Sequence, residues 1–254
     1  MTLRSLAAAA LLGMAAVAPA LRAQSVAEHV AMGDRERFSN PASALRHYEA
    51  AVVGDGRNYD ALSKASITAV DVGEQATDEA RRNTLYKSGE QYARRAIEAK
   101  PTDAEGHFAL ARALGRTAQT LGSRDKVKYA ADVRSHALEA LKHDPKHAGA
   151  LHVLGMWNAE VMRLNGVARF MAKNFLGGKV FDSASWESAQ TYMEQAVASE
   201  PNRLIHRIDL ADVYLERKNS AKAREQIDFV LRAPGTEAND AKYKRQAEAL
   251  AKRL

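Results

Sequence analysis

The chain has 254 residues, with 37 lysines and arginines against 31 aspartates and glutamates, and it contains no cysteine. The lack of cysteine excludes a disulfide-linked scaffold, thiolate metal sites, iron–sulfur ligation and a cysteine nucleophile. With 46% apolar and 6% aromatic residues, and few glycines and prolines, the composition excludes a collagen-like or broadly disordered chain and favours an all-helical fold.

Residues 1–23 predict a secretory signal peptide. Arg4 supplies a short basic start, and an Ala- and Leu-rich stretch without charged residues follows it up to Arg22. Ala20 and Ala23 are alternative residues before the cleavage site. We therefore expect an exported protein, periplasmic or secreted, with one mature domain over 24–254. The alternative is an uncleaved anchor, but the run is weaker than a membrane span of about 20 apolar residues.

The positive charge does not indicate a nucleic acid-binding protein. Removal of residues 1–23 leaves 35 basic and 31 acidic residues, a net charge of +4. These charges are spread along the chain, whereas a nucleic acid-binding surface needs a strong local cluster. We expect no nucleic acid partner.

Three prolines, Pro101, Pro145 and Pro201, mark an internal repeat. Each follows a small residue by five positions and an apolar residue by four, and each precedes a leucine–small residue pair by nine and ten positions. Proline ends a helix, and a small residue lets two helices approach closely, so the pattern predicts helical hairpins. Leu210-Ala211, with Tyr214 three positions on, matches the tetratricopeptide pattern.

The predicted fold is an all-α, tetratricopeptide-like solenoid of about five helical hairpins. A closing helix within 237–254 is expected to cover the last apolar face. Thr102 and Glu105 predict a capping box at the start of the third hairpin. The five hairpins are expected at about 25–55, 57–100, 102–144, 146–200 and 202–233.

Two hairpins are longer than a standard repeat of about 34 residues. Pro101 and Pro145 are 44 residues apart, and Pro145 and Pro201 are 56 apart. We expect the third and fourth hairpins to carry roughly 10 and 22 extra residues between their helices. The larger insertion, 162–183, combines basic with aromatic residues.

Four stretches carry a more specific resemblance. They are KVKYA at 126–130, GALHVLGMWNAEV at 149–161, NFLG at 174–177 and ASWESA at 184–189. They resemble the tetratricopeptide domain of the regulator of microtubule dynamics family, over roughly 90–232 closely and 25–90 loosely. The resemblance implies a non-catalytic helical-repeat module, with some relatives associated with microtubules or tethered to membranes. An exported protein meets no microtubules, so only the fold and the binding character are expected to transfer.

No catalytic, cofactor-binding or metal-binding pattern is recognised. Gly177-Gly178-Lys179 lacks the earlier glycine and the following Ser or Thr of a phosphate-binding loop. His143 and His147 flank the turn at Pro145, so they are not a ligand pair on one helix. We expect no catalytic residues, no cofactor and no metal.

The first helix of each hairpin is expected to line a concave groove for a protein or peptide partner. Arg112 and Arg116, four residues apart, are candidates to hold a partner's carboxylate. The alternative is that they pair with Glu105 or Asp132 within the chain. The groove candidates are Phe108, Arg112, Arg116, His152, Met156, Glu160 and Asp212.

A second hypothesis assigns function to the insertion. Its basic and aromatic residues suit an apolar ligand or an anionic membrane surface, the candidates being Arg169, Phe170, Lys173 and Phe175. The alternative is that the insertion folds over its hairpin and completes the core. Trp157 and Trp186 are expected to pack at the hairpin junction and not to form a ligand cage.

Overall fold

A computed structural model of the protein describes residues 24–165 and 178–254. Within these residues the chain forms eleven α-helices and one 3₁₀ helix, Gly178–Ser183, with no strand. The α-helices are α1 Val26–Glu36, α2 Pro41–Gly54, α3 Tyr59–Gln75, α4 Glu79–Ala99, α5 Ala104–Gln119, α6 Ser123–His143, α7 Ala148–Arg163, α8 Trp186–Ser199, α9 Leu204–Glu216, α10 Ser220–Arg232 and α11 Asp240–Ala251.

Consecutive helices pair into five hairpins, α1/α2, α3/α4, α5/α6, α7/α8 and α9/α10, and α11 packs on the last one. The most extensive contacts are those within the first four hairpins, and each hairpin also contacts the next. The predicted class, a tetratricopeptide-like solenoid of five hairpins with a closing helix, is confirmed. α11 covers the end of the stack as expected, since Tyr243 and Ala247 are buried against Ile208 and Ile227.

Polar side chains set most of the helix starts. Asn40, Asn58 and Asp78 each accept a hydrogen bond from a backbone N–H in the first turn of α2, α3 and α4. This satisfies donors that have no partner inside a helix. The chain's capping box lies at Ser25 and Glu28 in α1.

The predicted capping box at Thr102 is wrong. The residue that caps α5 is Asp103, whose carboxylate accepts from the backbone N–H of Glu105. The Glu105 carboxylate instead lies 2.9 Å from His147 Nε2, on the next hairpin. A contact between hairpins has replaced the local contact that the sequence pattern favours.

The small residue of the repeat is a packing requirement in the fourth hairpin. A Cβ atom on Gly155 would lie 2.6 Å from Cγ of Met193, which is buried on the partner helix α8. Real Cβ atoms do not approach so closely, so glycine lets α7 and α8 pack at this distance.

The spacing of the prolines suggested that the extra residues of the third hairpin lie between its two helices. They do not. Only residues 120–122 connect α5 to α6, and α6 itself is 21 residues long. The long helices therefore absorb the additional length. In the fourth hairpin the extra residues do lie between α7 and α8, and part of them, 166–177, is outside the described residues.

The end of the chain returns to the first two hairpins. The backbone N–H of Ala238 donates to the carbonyl of Phe38, which follows α1, at 2.8 Å. Tyr243 Oη, on α11, donates to Glu74 Oε2 on α3 at 3.2 Å, across 169 positions of sequence. These contacts close the concave side of the solenoid.

Candidate functional site

The concave side of the solenoid encloses a cavity of about 890 Å³. Its walls come from α3, α5, α6, α7 and α9, from the 3₁₀ helix and from the returning C-terminal segment. The volume lies in the upper part of the range of ligand-binding pockets, which is about 300–1,000 Å³.

Six of the seven groove candidates line this one cavity, although they come from two different hairpins. They are Phe108, Arg112, Arg116, His152, Met156 and Glu160. Asp212 does not belong to the lining; its carboxylate binds Arg163 and Arg253. Whether the six contact a partner stays a prediction.

One wall of the cavity is apolar. Val133, Val153, Met156, Trp157 and Phe181 form it. Trp157 is 5% exposed, stacks on Phe181 with ring centroids 6.0 Å apart, and donates from Nε1 to a backbone carbonyl at 2.7 Å. Its polar atom is thus satisfied inside the protein, and its ring offers the cavity only an apolar edge.

The two tryptophans pack at hairpin junctions, as expected. Trp157 belongs to the main core cluster around α5, α6 and α7. Trp186 packs, half-buried, against the cluster formed by α7, α8 and α9, and the guanidinium of Arg163 lies 5.8 Å above its ring.

Another part of the lining, with Asp71, Arg112 and Arg116, belongs to a cluster of paired charges. Arg112 Nη2 lies 2.6 Å from Asp71 Oδ1 and 3.3 Å from Glu74 Oε1, and Arg116 Nη2 lies 2.8 Å from the same Glu74 oxygen. Lys242 Nζ approaches Glu74 from the C-terminal segment at 3.5 Å. Arg112 and Arg116 therefore pair within the chain, but with acids of α3 and not with Glu105 or Asp132.

Glu74 is the centre of this cluster, with a side chain that is 1% exposed. Burial alone raises the pKa of the Glu74 carboxyl, but Arg116, Arg112 and Lys242, with the Tyr243 hydroxyl, outweigh it and lower the pKa to about 2. At neutral pH the carboxylate is charged and fully partnered. The cluster ties α3 and α5 to the C-terminal segment and closes one side of the cavity.

A third part of the lining is polar and incompletely hydrogen-bonded. His152 Nε2 lies 2.8 Å from Asp209 Oδ2. Arg203 Nε and His206 Nδ1 are buried, and neither has a hydrogen-bond partner among the described residues. Their nearest carboxylates, on Glu237 and Glu200, are 3.6 and 3.8 Å away. Burial, followed by the charges of His152 and Arg203, lowers the pKa of His206, so this imidazole is neutral.

Sequence reasoning missed the residues that complete the site. These are Asp71, Glu74, Arg203, His206, Glu237 and Tyr243. The repeat pattern indicated only that α3 is the first helix of the second hairpin. Asp71 and Glu74 therefore lie on the helix that is expected to face the groove. No local pattern signals that Glu237 and Tyr243 return to the cavity.

The structure describes only the two ends of the insertion, 162–165 and 178–183. Arg169, Phe170, Lys173 and Phe175 lie outside the described residues. Phe181 is 5% exposed and packs in the core, which agrees with folding of this end of the insertion over its hairpin.

None of the helices among the described residues is long and apolar enough to span a membrane.

Comparison with known proteins identifies relatives over most of the chain. A sequence model of the family Regulator of microtubule dynamics protein 1-3 (RMD1-3) matches residues 27–254. Regulator of microtubule dynamics protein 1 of Mus musculus is 25% identical over 148 residues, 58% of this chain and 47% of the relative. The Homo sapiens protein of that name is 25% identical over 126 residues, 50% of this chain and 40% of the relative. The chain thus matches about half, or less, of the length of these relatives.

Solved structures support the fold. TTC0263, a thermophilic TPR protein of Thermus thermophilus, superposes with a TM-score of 0.64 at 17% identity, over 89% of this chain and 99% of that one. Pseudomonas aeruginosa pilF gives a TM-score of 0.52 at 13% identity, over 90% of both chains. At these identities the likeness extends to the fold alone.

Proposed function

The chain belongs to the Regulator of microtubule dynamics protein 1-3 family, and we propose that it is a non-catalytic helical-repeat scaffold that binds a protein or peptide partner in its concave cavity. The observation that carries the proposal is a cavity of about 890 Å³ on the concave side, with one apolar wall. Such a site offers apolar surface that a partner can bury.

The partner binds through an apolar side chain that the apolar wall buries. The apolar side chain packs on Met156 and Trp157, and burial of a large apolar side chain contributes about 1.5–3 kcal/mol.

Arg112 and Arg116 shape the wall and do not capture a carboxylate. Asp71 and Glu74 already neutralise both guanidinium groups, so a ligand carboxylate would have to displace a buried ion pair. We therefore infer that the partner segment is close to neutral. Charge reversal of these arginines is a poor test of binding, since it would open the wall itself.

Gly115 offers a cleaner test. It lines the cavity, and a Cβ atom there meets nothing within 4 Å, so a larger side chain projects into open space. We expect Gly115→Trp to block the cavity and Gly115→Ala, the matched control, to leave it open. Partners are first identified by cross-linking the protein in its native compartment, followed by mass spectrometry.

The two variants are then compared by the yield of each cross-link. Loss of a partner with Gly115→Trp, but not with Gly115→Ala, supports binding in the cavity. Equal yields from both variants and the wild type would show that the partner binds elsewhere.

Export is part of the proposal and rests on residues 1–23. It predicts a mature protein that starts at Leu21 or Gln24, according to whether Ala20 or Ala23 precedes the cleavage site. Intact-mass spectrometry of the protein from the periplasm or the medium distinguishes the two. A full-length chain that stays in the cytoplasm would contradict export.

Binding of an apolar ligand or a membrane surface is the second candidate. It rests on the basic and aromatic sequence of residues 162–183. The Phe181 side chain, at the end of the insertion, is buried in the core and does not contribute to it. Flotation with anionic liposomes at low salt tests it, with the double variant Lys173→Glu/Phe175→Ser as comparison. If the wild-type protein does not float, this candidate is wrong for membranes.

A further inference from the structure

Three side chains capable of binding a metal come together in the third hairpin, outside the cavity lining. His107 lies in the first turn of α5, and Glu139 and His143 lie one turn apart on α6. Each offers one ligand atom, and the three atoms lie within 4.8 Å of one another. Glu139 and His143 share a helix face at a spacing of four residues, and His107 joins them only through the packing of α5 on α6.

The His107 ring is held in a ligand-ready tautomer. Its Nε2 lies 3.0 Å from the carbonyl oxygen of Pro101. A carbonyl oxygen only accepts hydrogen bonds, so Nε2 carries the proton and Nδ1 presents its lone pair. Metal-binding histidines are commonly oriented in this way, by a backbone carbonyl on the nitrogen that does not bind the ion.

The polar atoms of His143 and Glu139 are not satisfied by each other. His143 Nε2 lies 3.2 Å from Glu139 Oε1, but it is buried and makes no hydrogen bond of acceptable geometry to any residue that the structure describes. An unpartnered buried nitrogen is unfavourable, and an ion between it and the carboxylate would remove the penalty.

We propose that His107, Glu139 and His143 bind one divalent transition-metal ion of the Zn²⁺ class. Two imidazoles and one carboxylate are a common ligand set for such ions, which bind at about 2.0–2.2 Å, whereas Ca²⁺ and Mg²⁺ prefer oxygen ligands. With three protein ligands, water completes the tetrahedron. The ion links α5 to α6 and stiffens the hairpin that carries Phe108 and Arg112.

Two hydrogen bonds to the ligand atoms must break when the ion binds. His136 Nδ1 lies 3.1 Å from His107 Nδ1 and donates to it, and Lys142 Nζ donates to Glu139 Oε1 at 3.0 Å. The Lys142 side chain is 70% exposed, so it returns to water at little cost.

The test is calorimetric titration of the purified, tag-free and EDTA-treated protein with ZnCl₂. We expect one equivalent to bind and to raise the thermal unfolding temperature. Co²⁺ in place of Zn²⁺ is expected to give the visible absorption of a tetrahedral site. Absence of saturable Zn²⁺ binding by the wild type would overturn the proposal.

Ligand variants locate the ion. Loss of a residue that only supports a metal ligand weakens binding by about 10- to 100-fold. We expect His143→Gln and Glu139→Gln, which remove ligands, each to weaken Zn²⁺ binding at least as much. Both are partly exposed, so they are tolerated better than a change at buried His107.

The first and second helices provide a matched control. His29 Nδ1 and His47 Nδ1 lie 3.2 Å apart, close to the 3.1 Å between the Nδ1 atoms of His107 and His136, but they do not belong to a three-residue cluster within the described residues. His47→Gln is expected to leave Zn²⁺ binding unchanged. If His47→Gln weakens binding as much as His143→Gln, the ion is not bound by the proposed residues.

Discussion

Replacement of Glu74 by Gln tests whether the buried ion cluster holds the two ends of the solenoid together. Gln keeps the size of the side chain and removes its charge. Arg112 keeps Asp71 as a partner, but Arg116 and Lys242 lose the carboxylate that they approach. Removal of one partner from a buried pair is strongly destabilising because it leaves an uncompensated charge.

The magnitude follows from the pKa of the Glu74 carboxyl, which the cluster lowers from 4.5 to about 2. Each unit corresponds to 1.36 kcal/mol, so the charged carboxylate stabilises the fold by about 3 kcal/mol at neutral pH. The folded-state pKa is the lower one. The stabilisation is therefore complete above the unfolded-state value of 4.5 and is lost as the pH falls through about 2.

The assay is urea unfolding of the wild type and Glu74→Gln, followed by circular dichroism from pH 7 towards pH 2. We expect a difference in the free energy of unfolding of about 3 kcal/mol at pH 7 that shrinks below pH 4.5. Glu90→Gln is the control, because Glu90 pairs with the half-exposed Arg94 on the same helix and should cost less than about 1 kcal/mol. A cost for Glu74→Gln no larger than this, or one that does not depend on pH, would refute the reasoning.

Further predictions concern packing and one pair between hairpins. Gly155→Ala forces Cβ against Met193 and should destabilise the fold by about 1–3 kcal/mol, whereas Gly115→Ala, in open space within a helix, should stabilise it by up to about 1 kcal/mol. Urea unfolding of both variants checks this, and equal effects would contradict the packing argument. Burial lowers the pKa of His147, but the Glu105 carboxylate outweighs burial and raises it above 6.5. This pair therefore stabilises the fold below the unfolded-state pKa of His147, as long as Glu105 is ionised, and loses its contribution as the pH rises through the folded-state pKa of His147. Glu105→Gln should thus cost more stability at pH 6 than at pH 9, and a cost that is the same at both would contradict it.

Local patterns predicted the helices well. The spacing around Pro101, Pro145 and Pro201 placed the hairpins, because proline is excluded from a helix interior and a small residue beside leucine lets two helices approach closely. The same reasoning failed at Thr102, where a neighbouring side chain, Asp103, caps the helix instead. Two adjacent residues of similar capping ability are not distinguished by pattern alone.

The candidate site was predicted in part. Residues on the inner faces of α5 and α7, such as Arg112 and Met156, follow from helical periodicity and do line the cavity. The acids that pair with Arg112 and Arg116 were assigned wrongly, because the choice among carboxylates depends on how far one hairpin is rotated against the next. That rotation is set by packing between repeats.

The sequence by itself determined the helices, their pairing into hairpins and the face of each helix that turns inward, since these depend on residues within about one repeat length of each other. Only the tertiary structure decided that the solenoid closes. The contacts of Asn239 with Asp71 and of Tyr243 with Glu74 span 168 and 169 residues. They depend on the small rotation between successive hairpins, added over the whole stack. The sequence pattern of a single repeat does not specify this total rotation.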